Sequence, residues 1–432
     1  MKYFKRLVPQ KYKNVYHLIC AVFWELFYGY PTGKLKVIGV TGTDGKTTTS
    51  TIIYHILKSA GKKVALISTV AAYLGDKELD VGLHVTSPNP RLLQKLLKEI
   101  ADDGYEYLVL EVTSHGLDQH RLFGINFDIG VLTNISHEHL DYHKTYENYV
   151  KAKSKLFNKS KLAILNKDDK SFKEIKKYID SKVKIRIYHK SSLVGDVKRA
   201  VDKRFSENYN RANARAAILS AKEIGIKDKD IVSAISSFPE VTGRLEEIKN
   251  KRGINIYIDF AHTPNSLENV LKELKKGTKG KLITVFGCAG ERDYEKREKM
   301  GMISTKYADV SVFTAEDPRG EDVNNIIDQM IKGAKRDKTK EVSKTHYSAA
   351  PELAGTGQAV YGNKQNVYVR ISERGRAISF AIQRLAQKGD TVVICGKGHE
   401  KSMCYNGTEY PWSDHEAVKF ALKGKVKRIE RL

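Results

Sequence analysis

The sequence predicts an α/β protein built from two successive domains, and two observations carry that expectation. From Lys36 onward, short apolar runs alternate with helix-like stretches, the pattern of a mostly parallel sheet with covering helices. The alternation pauses near residues 238–244 and then restarts. Length agrees, because 432 residues exceed what one hydrophobic core ordinarily organises.

The chain opens on a basic stretch, 2–13, followed by an apolar run, 15–30. The pair is similar to a secretory leader, but His17 and Glu25 interrupt the run. It is also short for a membrane span, and no small-residue cleavage site follows. We expect a helix packed on its own domain. The alternative is a helix lying on a membrane surface, since Phe23, Trp24, Phe27 and Tyr28 stand beside several lysines. Strands are expected at 36–41, 63–68, 107–111, 129–134 and 162–166, then at 254–259, 281–286, 310–314 and 391–395. The expected organisation is a short helical segment, 1–35, a central domain, 36–242, and a C-terminal domain, 243–432.

The chain carries 75 basic and 51 acidic residues. Such a balance suits a nucleic acid, an anionic surface or a phosphorylated substrate. The basic residues are spread along the whole chain, with no basic block interleaved with aromatics, so a nucleic-acid groove is not expected. Cys20, Cys288, Cys395 and Cys404 stand far apart, which argues against a disulfide framework or a zinc ribbon and fits a reducing cytosol.

The strongest local signal is Gly39-Val40-Thr41-Gly42-Thr43-Asp44-Gly45-Lys46-Thr47, set between an expected strand and a helical pattern that begins at Thr48. Such a loop turns backbone N–H groups and a helix N-terminus toward phosphate, while Lys46 reaches the outer phosphates and Thr47 binds magnesium. Val40 departs from the usual Walker spacing. A plain strand-to-helix turn has no need of Lys-Thr directly after its last glycine, so the loop is expected to bind ATP.

A second constellation is Glu111-Val112-Thr113-Ser114-His115, followed by Asn134-Ile135-Ser136-His137-Glu138-His139-Leu140-Asp141. Each ends an expected strand. In a parallel sheet both ends open on one crevice, where a carboxylate and an imidazole could hold a metal beside the phosphates. A His-rich turn taken alone is more often surface decoration, so the case rests on its place beside the loop.

The order and spacing of these motifs resemble the Mur ligases, in particular the branch that adds the third residue of the peptidoglycan stem peptide. Further matches are Ala152-Lys153-Ser154-Lys155-Leu156-Phe157, Asn166-Lys167-Asp168-Asp169, Tyr209-Asn210-Arg211-Ala212-Asn213, Gly243-Arg244-Leu245-Glu246 and Asp259-Phe260-Ala261-His262-Thr263-Pro264. Others are Phe286-Gly287-Cys288-Ala289-Gly290-Glu291-Arg292-Asp293, Glu316-Asp317-Pro318-Arg319 and Gly396-Lys397-Gly398-His399-Glu400. The resemblance runs from Lys36 to about Glu400. It implies a central P-loop ATPase domain with a mostly parallel sheet and a C-terminal Rossmann-like α/β domain. It also implies a cytoplasmic, monomeric ATP-dependent ligase of cell-wall synthesis that forms an acyl phosphate and joins it to an amino acid.

Position by position, the resemblance implies that Gly42, Thr43, Asp44, Gly45, Lys46, Thr47 and Thr48 hold ATP with Asn134. Asn213 would face the adenine, and Arg244, Asp259 and His262 would reach the nucleotide from the hinge and the last domain. Thr47, Glu111, His139 and a carbamylated Lys153 would support magnesium, with Lys46 beside them in catalysis. Adding carbon dioxide turns the Lys153 cation into an anion suited to that role. Thr86, Ser87, Thr113, Gln119 and Arg121 would contact a UDP-muramyl peptide, and Thr113 replaces a serine there. Arg292, Asp317, Arg319, Gly396 and Glu400 would form the pocket for the incoming amino acid.

A guanidinium at Arg319 suits a distal carboxylate, such as that of diaminopimelate, better than the amine of lysine. Asp317 stands where the family has Asn. It could neutralise Arg319 or favour a cationic side chain. About 35 residues precede the loop strand, where the family has a whole domain for the uridine diphosphate. The rival readings are a folylpolyglutamate synthetase-like ligase and a noncatalytic ATP-binding scaffold.

Overall fold

In the computed structural model, residues 9–75, 77–79, 89–336, 340–341 and 367–429 are described. The chain divides into two units, Met1–Pro239 and Glu240–Leu432. The first is organised by eight strands: β1 (Lys36–Thr41), β2 (Val64–Ile67), β3 (Ala72–Leu74), β4 (Lys77–Leu79), β5 (Tyr107–Glu111), β6 (Phe127–Leu132), β7 (Ser160–Asn166) and β8 (Lys184–Tyr188). They form one sheet in the order β4-β3-β2-β5-β1-β6-β7-β8. All neighbours run parallel except β3 and β4, which turn back antiparallel at the edge. That edge pair and β8 were not foreseen from the sequence.

Apart from Lys36 at the start of β1, the central strands β1 and β5 are buried along their length, as a sheet covered on both faces requires. Register then decides chemistry. Val40 on β1 stands opposite Glu111 on β5, and Thr41 opposite Leu132 on β6. The loop leaving β1 therefore emerges between the ends of the two strands that carry Glu111 and the Asn134 turn.

Helix α1 (Gln10–Phe27) precedes the sheet, and α2 (Lys46–Ser59) leaves the loop after β1. The α2 sequence is rich in β-branched residues, which weakly favour helix. Burial of Ile52, Ile53, Ile56 and Leu57 against the sheet overrides that weakness. Behind them come α3 (Pro90–Asp102), α4 (Ser114–Asp118), α5 (Tyr146–Asn158) and α6 (Asn208–Ile224). Thr145 caps α5 by accepting from Asn148 N at 3.1 Å, which fixes where the Lys153 face of that helix begins.

The second unit has strands β9 (Glu246–Glu247), β10 (Asn255–Asp259), β11 (Leu282–Phe286), β12 (Val310–Phe313), β13 (Lys340–Glu341), β14 (Val367–Arg370) and β15 (Thr391–Cys395), in the order β13-β14-β12-β11-β15-β10-β9. Only β9 is antiparallel to its neighbour. Ile283 and Val285 of β11 enter one apolar core while Leu282 and Phe286 enter the other, so both faces of this sheet are covered. A hairpin, β16 (Ser402–Tyr405) with β17 (Thr408–Pro411), follows β15. Among the described residues no helix is long and apolar enough to cross a membrane.

Candidate functional site

At the end of β1, Gly45 adopts a left-handed conformation, φ +79°, and begins α2. A β-carbon there would lie 2.3 Å from the Asn213 side-chain oxygen, so only glycine lets the loop pass beneath α6. The loop is tied to the β6 end by backbone and side chain alike. Thr43 N donates to Asn134 O at 2.8 Å, Asp44 N donates to Asn134 Oδ1 at 3.0 Å, and Asn134 Nδ2 donates back to Asp44 O at 3.0 Å. Thr133 Oγ1 adds a bond to Asp44 O at 2.7 Å. Asn134, expected as a nucleotide contact, holds the shape of the loop.

Lys46 folds its ammonium back onto Gly42 O and Thr43 O, at 3.2 and 2.8 Å. Thr47 Oγ1 donates to Glu111 Oε2 at 2.9 Å, and Thr69 N donates to the same oxygen at 3.0 Å. Both Thr47 and Glu111 are buried. Hard oxygen donors of this kind suit magnesium, which usually takes one or two carboxylates and completes its shell with phosphate oxygens and water. Among the described residues no three His, Cys, Asp or Glu side chains cluster at metal-binding spacing, so Thr47 and Glu111 offer the start of a shell and not a complete cage. The His139 ring lies edge-on to His115 at 4.8 Å and 6.0 Å from the Tyr149 ring, within an aromatic cluster that also includes His143. Burial pushes the His143 imidazole down to about 4, and its Nε2 lies 3.0 Å from Ser114 Oγ.

Lys153 is the least ordinary group of the site. It is 1% exposed, its Nζ donates to Gly42 O at 2.7 Å and it lies 4.6 Å from the centre of the Tyr149 ring. Burial, reinforced by the Lys46 charge and opposed by Asp44, pulls its amine well below the usual lysine range. Such burial is not that of an ordinary surface lysine.

The structure therefore gathers the loop, Glu111, Asn134, Lys153 and Asn213 at one end of the first sheet. Thr113, Gln119 and Arg121 lie on and just beyond α4. Thr113 caps that helix, accepting from Gly116 N at 3.0 Å, and Arg121 clamps Gln119 Oε1 with Nε and Nη2 at 2.8 and 2.6 Å. Thr86 and Ser87 lie outside the described residues.

In the second unit, Asp259 ends β10 with its carboxylate taken up by backbone: Leu245 N donates at 2.6 Å and Ala261 N at 2.7 Å. It shapes the turn that carries Arg244, whose guanidinium lies 4.4 Å from the Phe260 ring centre. His262 Nδ1 sits 2.9 Å from Phe260 O. Gly243 is also constrained, with φ +67° and a hypothetical β-carbon 2.3 Å from His399 N, so two motif loops touch through glycine.

The expected amino-acid pocket contains a residue that sequence reasoning passed over. Lys397, fully buried, pairs with Asp317 at 2.9 Å and with Glu400 at 2.5 Å. Cys404 N also donates to Asp317 Oδ1, at 3.0 Å. Asp317 thus pairs with Lys397, and no ion pair between Asp317 and Arg319 is found among the described residues. The Arg319 guanidinium makes no ion pair or hydrogen bond among the described residues, and its backbone bonds to Cys404 O. Gly290 N donates to Asp317 O at 2.8 Å, which brings the loop of Arg292 to the same strand ends. A β-carbon at Gly396 would lie 3.2 Å from Glu316 Cγ, and the buried Oε2 of Glu316 has no hydrogen-bond partner among the described residues. Burial, with Asp317 and Glu400 nearby, pushes the Glu316 carboxyl up to about 7 against the pull of Lys296 and Lys397. Lys397 was visible within Gly-Lys-Gly-His-Glu, but nothing in the sequence distinguished a buried counter-ion from a surface lysine.

Residues 40–226 match the Mur ligase middle domain, and residues 243–398 match the Mur ligase glutamate ligase domain. A curated relative from Clostridium acetobutylicum, UDP-N-acetylmuramoyl-L-alanyl-D-glutamate--2,6-diaminopimelate ligase 1, is 34% identical over 93% of this chain and 81% of its own length. A solved UDP-N-acetylmuramoyl-L-alanyl-D-glutamate--2,6-diaminopimelate ligase is 29% identical with a TM-score of 0.53, covering 90% of this chain and 78% of that one. A bifunctional folylpolyglutamate synthase/dihydrofolate synthase from Yersinia pestis shares the fold, with a TM-score of 0.65 at 16% identity over 91% of this chain and 96% of that one. The chain belongs to the Mur ligase family.

Proposed function

We propose that the chain is an ATP-dependent ligase of peptidoglycan precursor synthesis, joining meso-diaminopimelate to UDP-N-acetylmuramoyl-L-alanyl-D-glutamate with release of ADP and phosphate. The observation that carries this reading is the first-unit constellation: a glycine loop with Lys46 and Thr47, Glu111 bonded to Thr47, and a buried Lys153 against the same loop. The name of the 34% identical relative supports the choice of substrates.

Two anions, a carboxylate and the γ-phosphate, must meet. Lys46 lies on the loop that would cradle the phosphates and can offset their repulsion. Magnesium, held by Thr47 and Glu111 and with His139 near, would supply further positive charge at the reacting phosphate. A neutral amine is the form able to take up carbon dioxide, and burial shifts Lys153 toward that form by pulling it well below the usual lysine range, so we assign Lys153 as a carbamate that supports the cation. The amine of the amino acid then displaces phosphate from the acyl phosphate. Arg319 suits the distal carboxylate of that amino acid, because its guanidinium has no ion pair among the described residues. A cytosolic, monomeric enzyme goes with this reading.

A phosphate-release assay with the UDP-muramyl dipeptide and a panel of diaminopimelate, lysine and ornithine tests it. Release should require the dipeptide and be fastest with diaminopimelate. Release supported only by a folate acceptor and glutamate would overturn the substrate, and release with neither acceptor would overturn the reaction.

A further inference from the structure

Helix α1 is amphipathic in the reverse sense. The more polar face, with small Ala21 buried in it, meets the domain: Asn14 Nδ2 donates to Asp118 Oδ2 at 3.0 Å, Glu25 is buried against Gly124, and at its margin the Arg91 guanidinium lies 5.0 Å from the Trp24 ring centre. Its apolar face points outward. Tyr12, Tyr16, Ile19, Phe23, Leu26 and Phe27 recur at steps of three and four, so they form one stripe, and each is 56–66% exposed. At 1.5 Å per residue the stripe from Tyr12 to Phe27 runs for about 22 Å along the helix. A helix that turns such a stripe to water loses the burial that ordinarily stabilises a surface helix.

The charge that flanks the stripe in the sequence names its partner. Lys2, Lys5, Arg6, Lys11 and Lys13 precede or open the helix, and Lys34 and Lys36 follow it. Glu25, on the buried face, is the one acidic residue before Asp44. A second copy laid on this face would bring two such basic sets together, in a chain whose net charge is already +24. An anionic bilayer would neutralise them instead, while Tyr12 and Tyr16 suit the headgroup depth and Ile19, Phe23, Leu26 and Phe27 the acyl boundary. We infer that α1 is an interfacial helix that docks this chain on anionic membrane surfaces by its outward stripe.

Flotation of the full chain with vesicles of phosphatidylcholine, with and without phosphatidylglycerol, tests this. The chain should float with the anionic vesicles, bind them at least about tenfold more tightly than the neutral ones, and be released progressively by salt. The combined variant Ile19→Glu, Phe23→Glu, Phe27→Glu alters only exposed positions, so it should fold, as circular dichroism would show, and keep wild-type phosphate release. Its vesicle affinity should fall at least about tenfold. A wild-type chain that stays in the dense fractions with phosphatidylglycerol, or a variant that floats as the wild type does, overturns the inference. A concentration-dependent dimer in sedimentation velocity that the variant abolishes, with no flotation, would show that the face pairs copies instead.

Discussion

Two lysines, one in each unit, are equally buried and have opposite surroundings. Lys153 is 1% exposed and Lys397 is 0% exposed. Lys153 faces a carbonyl oxygen and has no ion pair among the described residues, and its amine is pulled well below the usual lysine range. Burial works the same way on Lys397, but Glu400 and Asp317 outweigh it and hold the ammonium above that range. Depth alone therefore does not decide whether a buried lysine is a reactive amine or a fixed cation. The decisive factor is whether the strands and loops around it deliver carboxylates. The first sheet end leaves an amine that can change its chemical form, whereas the second builds a neutralised scaffold that leaves Arg319 without a carboxylate.

The sharpest way to break this comparison is at Lys153. Lys153→Ala should lower turnover by about a thousandfold, the scale of removing a group that supports transition-state charge, with partial recovery when a short carboxylic acid is supplied. Activity of the wild type should also fall in carbon-dioxide-depleted buffer, and more so as pH is lowered, because the protonated amine cannot form the carbamate. Wild-type turnover in the alanine variant would remove Lys153 from the chemistry.

At Lys397 the expectation is structural. Lys397→Met should cost about 3 kcal/mol of stability in chemical denaturation, since it leaves Asp317 and Glu400 without their buried counter-ion. A variant as stable as the wild type would mean that the two carboxylates are not held by this pair.

Arg319→Ala tests what the scaffold serves. The Michaelis constant for diaminopimelate should rise ten- to a hundredfold, the scale of a lost charge-assisted pair at about 1.5–3 kcal/mol, while that for ATP stays put. Asp317→Asn should instead lower the melting temperature, with little change of amino-acid preference, because Asp317 is engaged by Lys397. A switch from lysine to diaminopimelate use in Asp317→Asn would contradict that placement.

The smallest effect is expected at Glu316. Its folded-state carboxyl is raised from an ordinary value of 4.5 to about 7, so the folded chain holds this proton more tightly than the unfolded chain. The stability this supplies is complete below about 4.5 and is lost as pH climbs through about 7. Glu316→Gln should flatten that decline and raise the melting temperature at pH above that window by roughly 3–6 °C in scanning fluorimetry. An unchanged pH profile would show that Glu316 is not the titrating group.

The sequence by itself determined the parts whose cause is local. Uninterrupted apolar runs located the central strands, three of them, Lys36–Thr41, Tyr107–Glu111 and Thr391–Cys395, at the bounds that the structure gives. The glycine loop with Lys46 and Thr47 was legible because its conformation requires those residue types in that order, and the family followed from many such motifs together. What only the tertiary structure decided depends on which distant segment arrives as a neighbour. Asp317 lies two residues from Arg319 and was read against it, yet its carboxylate goes to Lys397, 80 residues away, because the ends of β12 and β15 bring them together. The antiparallel β3 and β4 escaped notice because three-residue strands carry no period of their own. For α1, the apolar run announced a helix but could not say which face would be covered, since hydrogen bonding and charge at Asp118 and Arg91, far along the chain, hold the more polar side inward and leave the apolar side exposed.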